Sequence, residues 1–195
     1  MSFLSLVGVE FKKIKRSKIF VILFIATVIL WIPSILNAEM NFNMQAEGIS
    51  PENNFFIQGF MGMAWFMFPA SMVVGTVLLS QTERTNKGIL KMLALPISTI
   101  KLCLAKFVVL LALAVSQILM MVGMYYISAA IVTATQDYNF ILSPIFIFKE
   151  ISSISISTIP MLAFFWMLSV CIQTPIFSIG IGLASIVPSV LMKKI

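Results

Sequence analysis

Four stretches of the chain contain no acidic or basic side chain, and each is long enough to cross a membrane. They cover residues 19–38, 53–82, 107–136 and 151–192, which are 20, 30, 30 and 42 residues long. A helix rises about 1.5 Å per residue and the hydrocarbon core of a bilayer is about 30 Å thick, so about 20 residues make one crossing. The first three stretches predict one span each. The last predicts two, divided at Gln173, Thr174 and Pro175, because proline disfavours helix before it.

These stretches predict an all-α fold, a single polytopic membrane helix bundle over residues 1–195. The five predicted spans cover about 19–36, 55–79, 107–132, 151–172 and 176–192, and none contains an acidic or basic residue. Residues 141–148 are apolar but too short to span. Pro144 interrupts them and Lys149 and Glu150 close them, so we expect this segment to lie at the outer membrane interface.

Residues 2–18 predict a short amphipathic helix before the first span. Its apolar residues recur at helical spacing on one side, and its charged residues occupy much of the rest. The apolar set is Phe3, Val7, Phe11 and Ile14, and the charged set is Glu10, Lys12, Lys13, Lys15 and Arg16. Such a helix can lie in the interface with its lysines toward lipid headgroups. An ordinary basic flank of the first span is the alternative on these residues alone.

The composition supports a membrane protein and narrows the chemistry. Of the residues, 60% are hydrophobic and 10% are charged, and the mean hydropathy is +1.06, whereas soluble domains carry about 25% charged residues. The chain has no His, so it cannot form a Ser–His–Asp triad. With only two cysteines, Cys103 and Cys171, it also has almost no ligands for a transition metal. It has no Walker A sequence. We expect no catalytic residue, no metal, no disulfide and no cofactor bound by this chain, and we do not expect an ion-driven carrier.

The net charge of +6 is distributed as the positive-inside rule requires. Ten of the 13 basic residues lie in 12–18 and 84–106, which predicts that both segments and the N-terminus are cytoplasmic. Residues 37–54 contain no Lys or Arg and carry three glutamates, so we expect them outside. Topology and attraction to lipid headgroups account for the basic charge, and we expect no nucleic-acid partner.

The second predicted span is rich in small residues and proline. These are Gly59, Gly62, Pro69 and Gly75. Small residues let helices approach closely in lipid, which favours a packing face. A face that lines the path of a substrate is the alternative interpretation.

The cytoplasmic segment 81–106 contains an apolar stretch about one helical turn long. Ile89, Leu90, Met92 and Leu93 form it, Pro96 ends it, and Ser98 is suited to cap a second helix that continues into the third span. Such a segment can simply connect two spans as an interfacial or re-entrant loop. It can also act as a coupling helix, whose apolar ridge docks in the groove of a partner.

This segment resembles the intracellular loop of bacterial ABC exporter permeases of the type-2 class. The matching residues are Glu83, Lys87, Gly88, Leu90, Lys91, Leu93, Leu95, Pro96, Ile97, Ser98, Lys101 and Lys106. The run at 9–19, Val-Glu-Phe-Lys-Lys-Ile-Lys-Arg-Ser-Lys-Ile, is similar to the N-terminus of the small permeases of bacitracin and lantibiotic self-protection exporters. Together with the hydropathy, the resemblance covers nearly the whole chain.

The resemblance implies roles for both segments. It implies an interfacial elbow helix at 2–18, in which the matching residues are Glu10, Phe11, Lys13 and Arg16. It implies a coupling helix at about 83–95, and the residues expected to contact the ATPase in this region are Glu83, Arg84, Lys87, Gly88, Leu90, Lys91, Leu93 and Pro96. The family usually has six spans, so the sixth is expected to be missing or to lie beyond residue 195.

The family also implies partners and a task. The partners are a separate ABC ATPase, which binds ATP and magnesium, and a second permease in a homodimer or heterodimer in the plasma membrane of a bacterium. The expected function is the outward movement of an amphipathic antimicrobial peptide or another membrane-embedded substrate, a function that rests on the resemblance alone. A membrane anchor or assembly subunit that recruits a cytosolic partner through 83–106, without transport, is the alternative.

Overall fold

The computed structural model describes residues 3–84, 98–172 and 174–191, which are almost entirely helical. The α-helices are α1 (Phe3–Ser17), α2 (Ile19–Leu36), α3 (Pro51–Phe56), α4 (Phe68–Arg84), α5 (Thr99–Gln136), α6 (Pro144–Cys171) and α7 (Pro175–Leu191). A 3₁₀ helix, Ala38–Glu47, follows α2, and two π-helical segments, Ile57–Met61 and Met63–Met67, join α3 to α4.

Four of the described helices are long and apolar enough to cross a membrane. They are Ile19–Leu36, Pro51–Gln81, Thr99–Gln136 and Pro144–Cys171. The all-α polytopic membrane helix bundle is therefore confirmed. The predicted fifth span corresponds to α7, which has 17 residues and a length of about 26 Å, less than the thickness of the hydrocarbon core.

The structure corrects the prediction for residues 141–148. Pro144 does not interrupt this segment but stands at the first turn of α6, where its missing N–H costs nothing. Ser143 precedes it, and the Ser143 hydroxyl accepts a hydrogen bond from the Phe146 amide. The helix then continues through Lys149 and Glu150 to Cys171. The sequence analysis began the fourth span after these two charged residues, but they lie inside the helix.

The long helix α5 is the centre of the bundle. It packs against α1, α2, α4 and α6, while α4 also packs against α6 and α7. Hydrogen bonds between spans reinforce this packing: the Ser71 hydroxyl donates to the Gln117 amide oxygen at 2.7 Å, and the Ser80 and Ser169 hydroxyls lie 3.0 Å apart. Polar contacts of this kind stabilise helix association in lipid by about 0.6 kcal/mol each.

Aromatic side chains close the end of the bundle that lies opposite α1. The rings of Trp31, Phe55, Tyr125 and Phe140 are all at most 1% exposed and contact one another across three spans. Beside them the Tyr138 hydroxyl donates a 2.5 Å hydrogen bond to the Glu52 carboxylate. That carboxylate raises the pKa of the Tyr138 hydroxyl, because the bond stabilises its protonated form.

Candidate functional site

The elbow helix α1 turns a glutamate toward the protein. Its buried side chains are Leu6, Glu10 and Ile14, whereas Phe11 is 43% exposed. The sequence grouped Phe11 with Ile14 on an apolar side suited to the membrane interface, and an exposed Phe11 is compatible with this. The Glu10 side chain, which the sequence grouped with the charged residues on the rest of the helix, is instead buried. The reason is that Glu10 has a buried cationic partner on another helix.

That partner is Lys106 of α5. The Lys106 Nζ lies 3.7 Å from the Glu10 Oε2, and the Lys13 Nζ donates a 2.7 Å hydrogen bond to the Glu10 Oε1. Glu10 and Lys106 are 1% and 4% exposed. A buried charge is tolerated when an opposite charge compensates it, so this pair ties the elbow helix to the third span.

The pair joins the two regions that carry the resemblance. Glu10 belongs to the N-terminal motif, and Lys106 is the last lysine that matches the intracellular loop. Each residue was visible in the sequence, but nothing in the spacing showed that two residues so far apart in the chain would meet. Arg16 lies in the last turn of α1.

The segment expected to bind the ATPase lies between the end of α4 and the start of α5. Glu83 and Arg84 are the last two residues of α4, and Ser98 precedes α5. The other predicted coupling residues lie outside the described part of the chain: Lys87, Gly88, Leu90, Lys91, Leu93 and Pro96. Their role stays a prediction. The contact between Glu10 and Lys106 places the elbow helix beside the helix that follows this segment.

The four small or proline residues of the second span lie in different surroundings. A methyl group added at Gly59 would lie 2.6 Å from Cζ3 of Trp31, so this glycine allows α2 to pack closely against the second span. Gly62 and Gly75 have no such neighbour, since nothing lies within 4 Å of an added methyl group. Pro69 faces a cleft.

The cleft beside Pro69 has a volume of about 270 Å³ and separates the second span from α6. We call it the Glu150 cleft. Trp65, Phe68 and Pro69 line one wall, and Glu150, Ser153 and Ser157 belong to the other. Proline cannot supply an N–H to the preceding turn and its ring crowds the carbonyl four residues earlier, which accounts for the wide π-helical turns that precede it.

Glu150 gives this cleft a charge. No Lys or Arg among the described residues forms a salt bridge with it. The Ser157 hydroxyl beside it is less available, because it donates to the Ser153 carbonyl at 2.9 Å within the same helix. The cleft can therefore hold a cationic group next to an apolar one. Sequence analysis missed Glu150 as a site residue, although the favourable helix start at Ser143 and Pro144 was a signal that α6 extends past it.

The sequence matches a protein family described as ABC-2 family transporter protein, over residues 6–189. The chain belongs to this family. This permease is therefore a multi-pass membrane subunit of an ABC transporter, and an ABC ATPase is the partner that the family implies. No curated protein and no solved structure matches it. Within the described residues, no group of three or more His, Cys, Asp or Glu side chains is placed to hold a metal ion.

Proposed function

We propose that this permease is the membrane subunit of an ATP-driven exporter that moves cationic amphipathic peptides outward across or out of a bacterial plasma membrane. The Glu150 cleft supports the class of cargo. A cationic amphipathic peptide carries positive side chains and an apolar face, and the cleft offers a carboxylate next to Trp65 and Phe68. These chemistries are complementary.

The position of the cleft supports outward movement from the membrane. Glu150 lies six residues after the first residue of α6, about 9 Å along the helix from the loop that we propose to be external. In this proposal a peptide lying in the outer leaflet enters the cleft between the second span and α6.

In this proposal the energy comes from the partner. Two ATPase subunits bind ATP, close on each other and move the two permease segments at 81–106. Because Lys106 is paired with Glu10, movement at the start of α5 is transmitted to the elbow helix and to the spans packed on α5. This chain itself binds and releases cargo, and the ATPase carries out hydrolysis.

The test is the stimulation of ATP hydrolysis by peptide. The permease and its ATPase are reconstituted in nanodiscs, and hydrolysis is followed while a synthetic amphipathic Lys/Leu peptide is added. Glu150→Gln should raise the half-maximal peptide concentration about tenfold, since about 1.4 kcal/mol of binding free energy corresponds to a factor of ten. Glu39→Gln, which removes an exposed acid away from the cleft, is the matched control and should change it little.

Two results would contradict the proposed cargo. If the peptide does not stimulate hydrolysis by the wild-type complex, the cargo class is wrong. If Glu150→Gln and Glu39→Gln respond to the peptide as the wild type does, the cleft is not where the cargo binds. Outward movement is tested separately by measuring the labelled peptide that stays associated with cells. Cells that contain both subunits should retain less peptide than cells whose ATPase cannot hydrolyse ATP.

A further inference from the structure

A second depression in the protein lies far from the Glu150 cleft, at the end of the bundle that carries α1. It is a groove of about 520 Å³ between α1, α2 and α5. Its walls are largely apolar side chains from all three helices, among them Phe20 and Val21 of α2 and Leu113 of α5. Phe20 is 46% exposed and Val21 is 52% exposed, so much of this apolar surface is open.

Three cationic side chains share the groove with these apolar ones. Lys12, Lys15 and Lys18 all line it, and among the described residues no acidic side chain does. The nearest acid along α1, Glu10, does not line the groove; it is buried and contacts Lys13 and Lys106. The described part of the groove is therefore positively charged on its α1 side.

The backbone at Lys18 shapes the groove. Its φ angle is 56°, in the left-handed region that a residue other than glycine adopts only at an energetic cost. This single residue separates α1 from α2 and bends the chain between them, so that the two helices form two walls of the groove. Lys18 therefore forms the bend between the two helices and also supplies one of the three cationic side chains.

We propose that this groove binds one anionic phospholipid of the cytoplasmic leaflet. The lipid phosphate lies among Lys12, Lys15 and Lys18, and an acyl chain lies along Phe20, Val21 and Leu113. Basic pockets between spans on the cytoplasmic side are suited to anionic headgroups, and the apolar wall matches the hydrocarbon tail. A soluble anion would use the lysines but leave the apolar wall in contact with water or detergent. The proposal is independent of the cargo and of the Glu150 cleft.

The experiment is a lipid titration of the purified full-length permease in detergent, read by native mass spectrometry. The probes are phosphatidylglycerol and phosphatidylcholine with the same acyl chains, and glycerol phosphate as a headgroup without a tail. We expect one phosphatidylglycerol to bind at least tenfold more tightly than phosphatidylcholine, and glycerol phosphate to compete only weakly.

Three variants locate the site. Lys15→Gln should weaken phosphatidylglycerol binding about fivefold, because one lysine near an anionic headgroup is worth about 1 kcal/mol. Ala112→Phe should also weaken it, since Ala112 lines the groove and a larger side chain there blocks the acyl chain without altering charge. Lys101→Gln removes an exposed lysine outside the groove and should leave binding unchanged. Melting in detergent confirms that each variant is folded.

Each of the other outcomes overturns the proposal. Equal binding of the two phospholipids would show that the lysines do not select an anionic headgroup. Equal losses in Lys15→Gln and Lys101→Gln indicate general surface electrostatics and no defined site. Full competition by glycerol phosphate indicates a phosphate site without a tail. A change of oligomeric state in Ala112→Phe, with lipid binding unchanged, indicates that a second copy of the chain occupies the groove.

Discussion

Glu10 in the elbow helix and Lys106 near the start of the third span form a buried pair, with 3.7 Å between Oε2 and Nζ. Lys13 completes the arrangement from a partly exposed position. Separating two buried opposite charges is costly, because each loses part of the compensation for its desolvation. The elbow helix is thus held to the bundle by a specific electrostatic contact as well as by apolar packing.

The first prediction concerns this pair. Glu10→Gln should destabilise the protein by about 3 kcal/mol, because it removes a buried negative charge that contacts both Lys106 and Lys13. Lys13→Gln should cost less than about 1 kcal/mol, since the side chain is 28% exposed and solvent screens its contact with Glu10. Thermal melting of the purified variants in detergent measures both.

A double variant shows whether the pair acts as a unit. In Glu10→Leu/Lys106→Met both charges are absent, and we expect a stability closer to that of the wild type than to that of Glu10→Gln. Additive losses in the double variant would show that the two residues are not energetically coupled.

The second prediction concerns close helix packing at Gly59. Gly59→Ala should destabilise the protein by about 1–3 kcal/mol, because the added methyl group meets the buried Trp31 ring at 2.6 Å. Gly62→Ala is the control, only three residues away, and it should be neutral or stabilising by less than about 1 kcal/mol, since its methyl group meets nothing within 4 Å. Equal melting temperatures for the two variants would show that Gly59 is not a packing position.

The positions of the long spans followed from the charge-free stretches. The predicted span 19–36 has the bounds of α2, and the second and third predicted spans lie within longer helices. The fourth, 151–172, overlaps α6, which begins seven residues earlier and ends at Cys171. A long apolar stretch predicts a span, because in lipid a single segment can make all of its backbone hydrogen bonds only as a helix. The extra length of α5 and α6 was not predicted, because Lys106 and the pair Lys149 and Glu150 were treated as the ends of the spans, whereas both helices run through these charges.

The contacts between elements could not be predicted from spacing. Glu10 has the sequence surroundings of an exposed residue in a basic amphipathic helix, and only its distant partner Lys106 explains its burial. Glu150 was missed for a different reason: with Lys149 it was interpreted as the boundary of a span, although α6 runs through it. Glu10 is thus placed by a tertiary contact that a one-dimensional pattern does not contain, whereas Glu150 is placed by the continuation of its own helix.

The third prediction concerns the orientation of the bundle. Met40→Cys should react with a membrane-impermeant thiol reagent in intact cells, and Ile100→Cys should react only after the cells are opened. Both side chains are well exposed, at 56% and 73%, so access depends on the side of the membrane. The background carries Cys103→Ser and Cys171→Ser, because both native cysteines are exposed. Labelling of position 100 in intact cells would contradict the cytoplasmic placement of segment 81–106.

The central claim is that this permease works with an ABC ATPase that docks on segment 81–106, and the most direct measurement is a quantitative pull-down of that ATPase. Leu93 lies outside the described residues, so its role rests on the sequence. Wild-type permease should retain the ATPase, and Leu93→Asp should bind it about 30-fold more weakly, since losing one buried leucine costs about 2 kcal/mol. Glu39→Gln, which lies outside this segment, should bind normally, and all three proteins should be equally abundant in the membrane. Retention of the ATPase by Leu93→Asp at the wild-type level would contradict docking at this segment, and no retention by the wild type would contradict the claim itself.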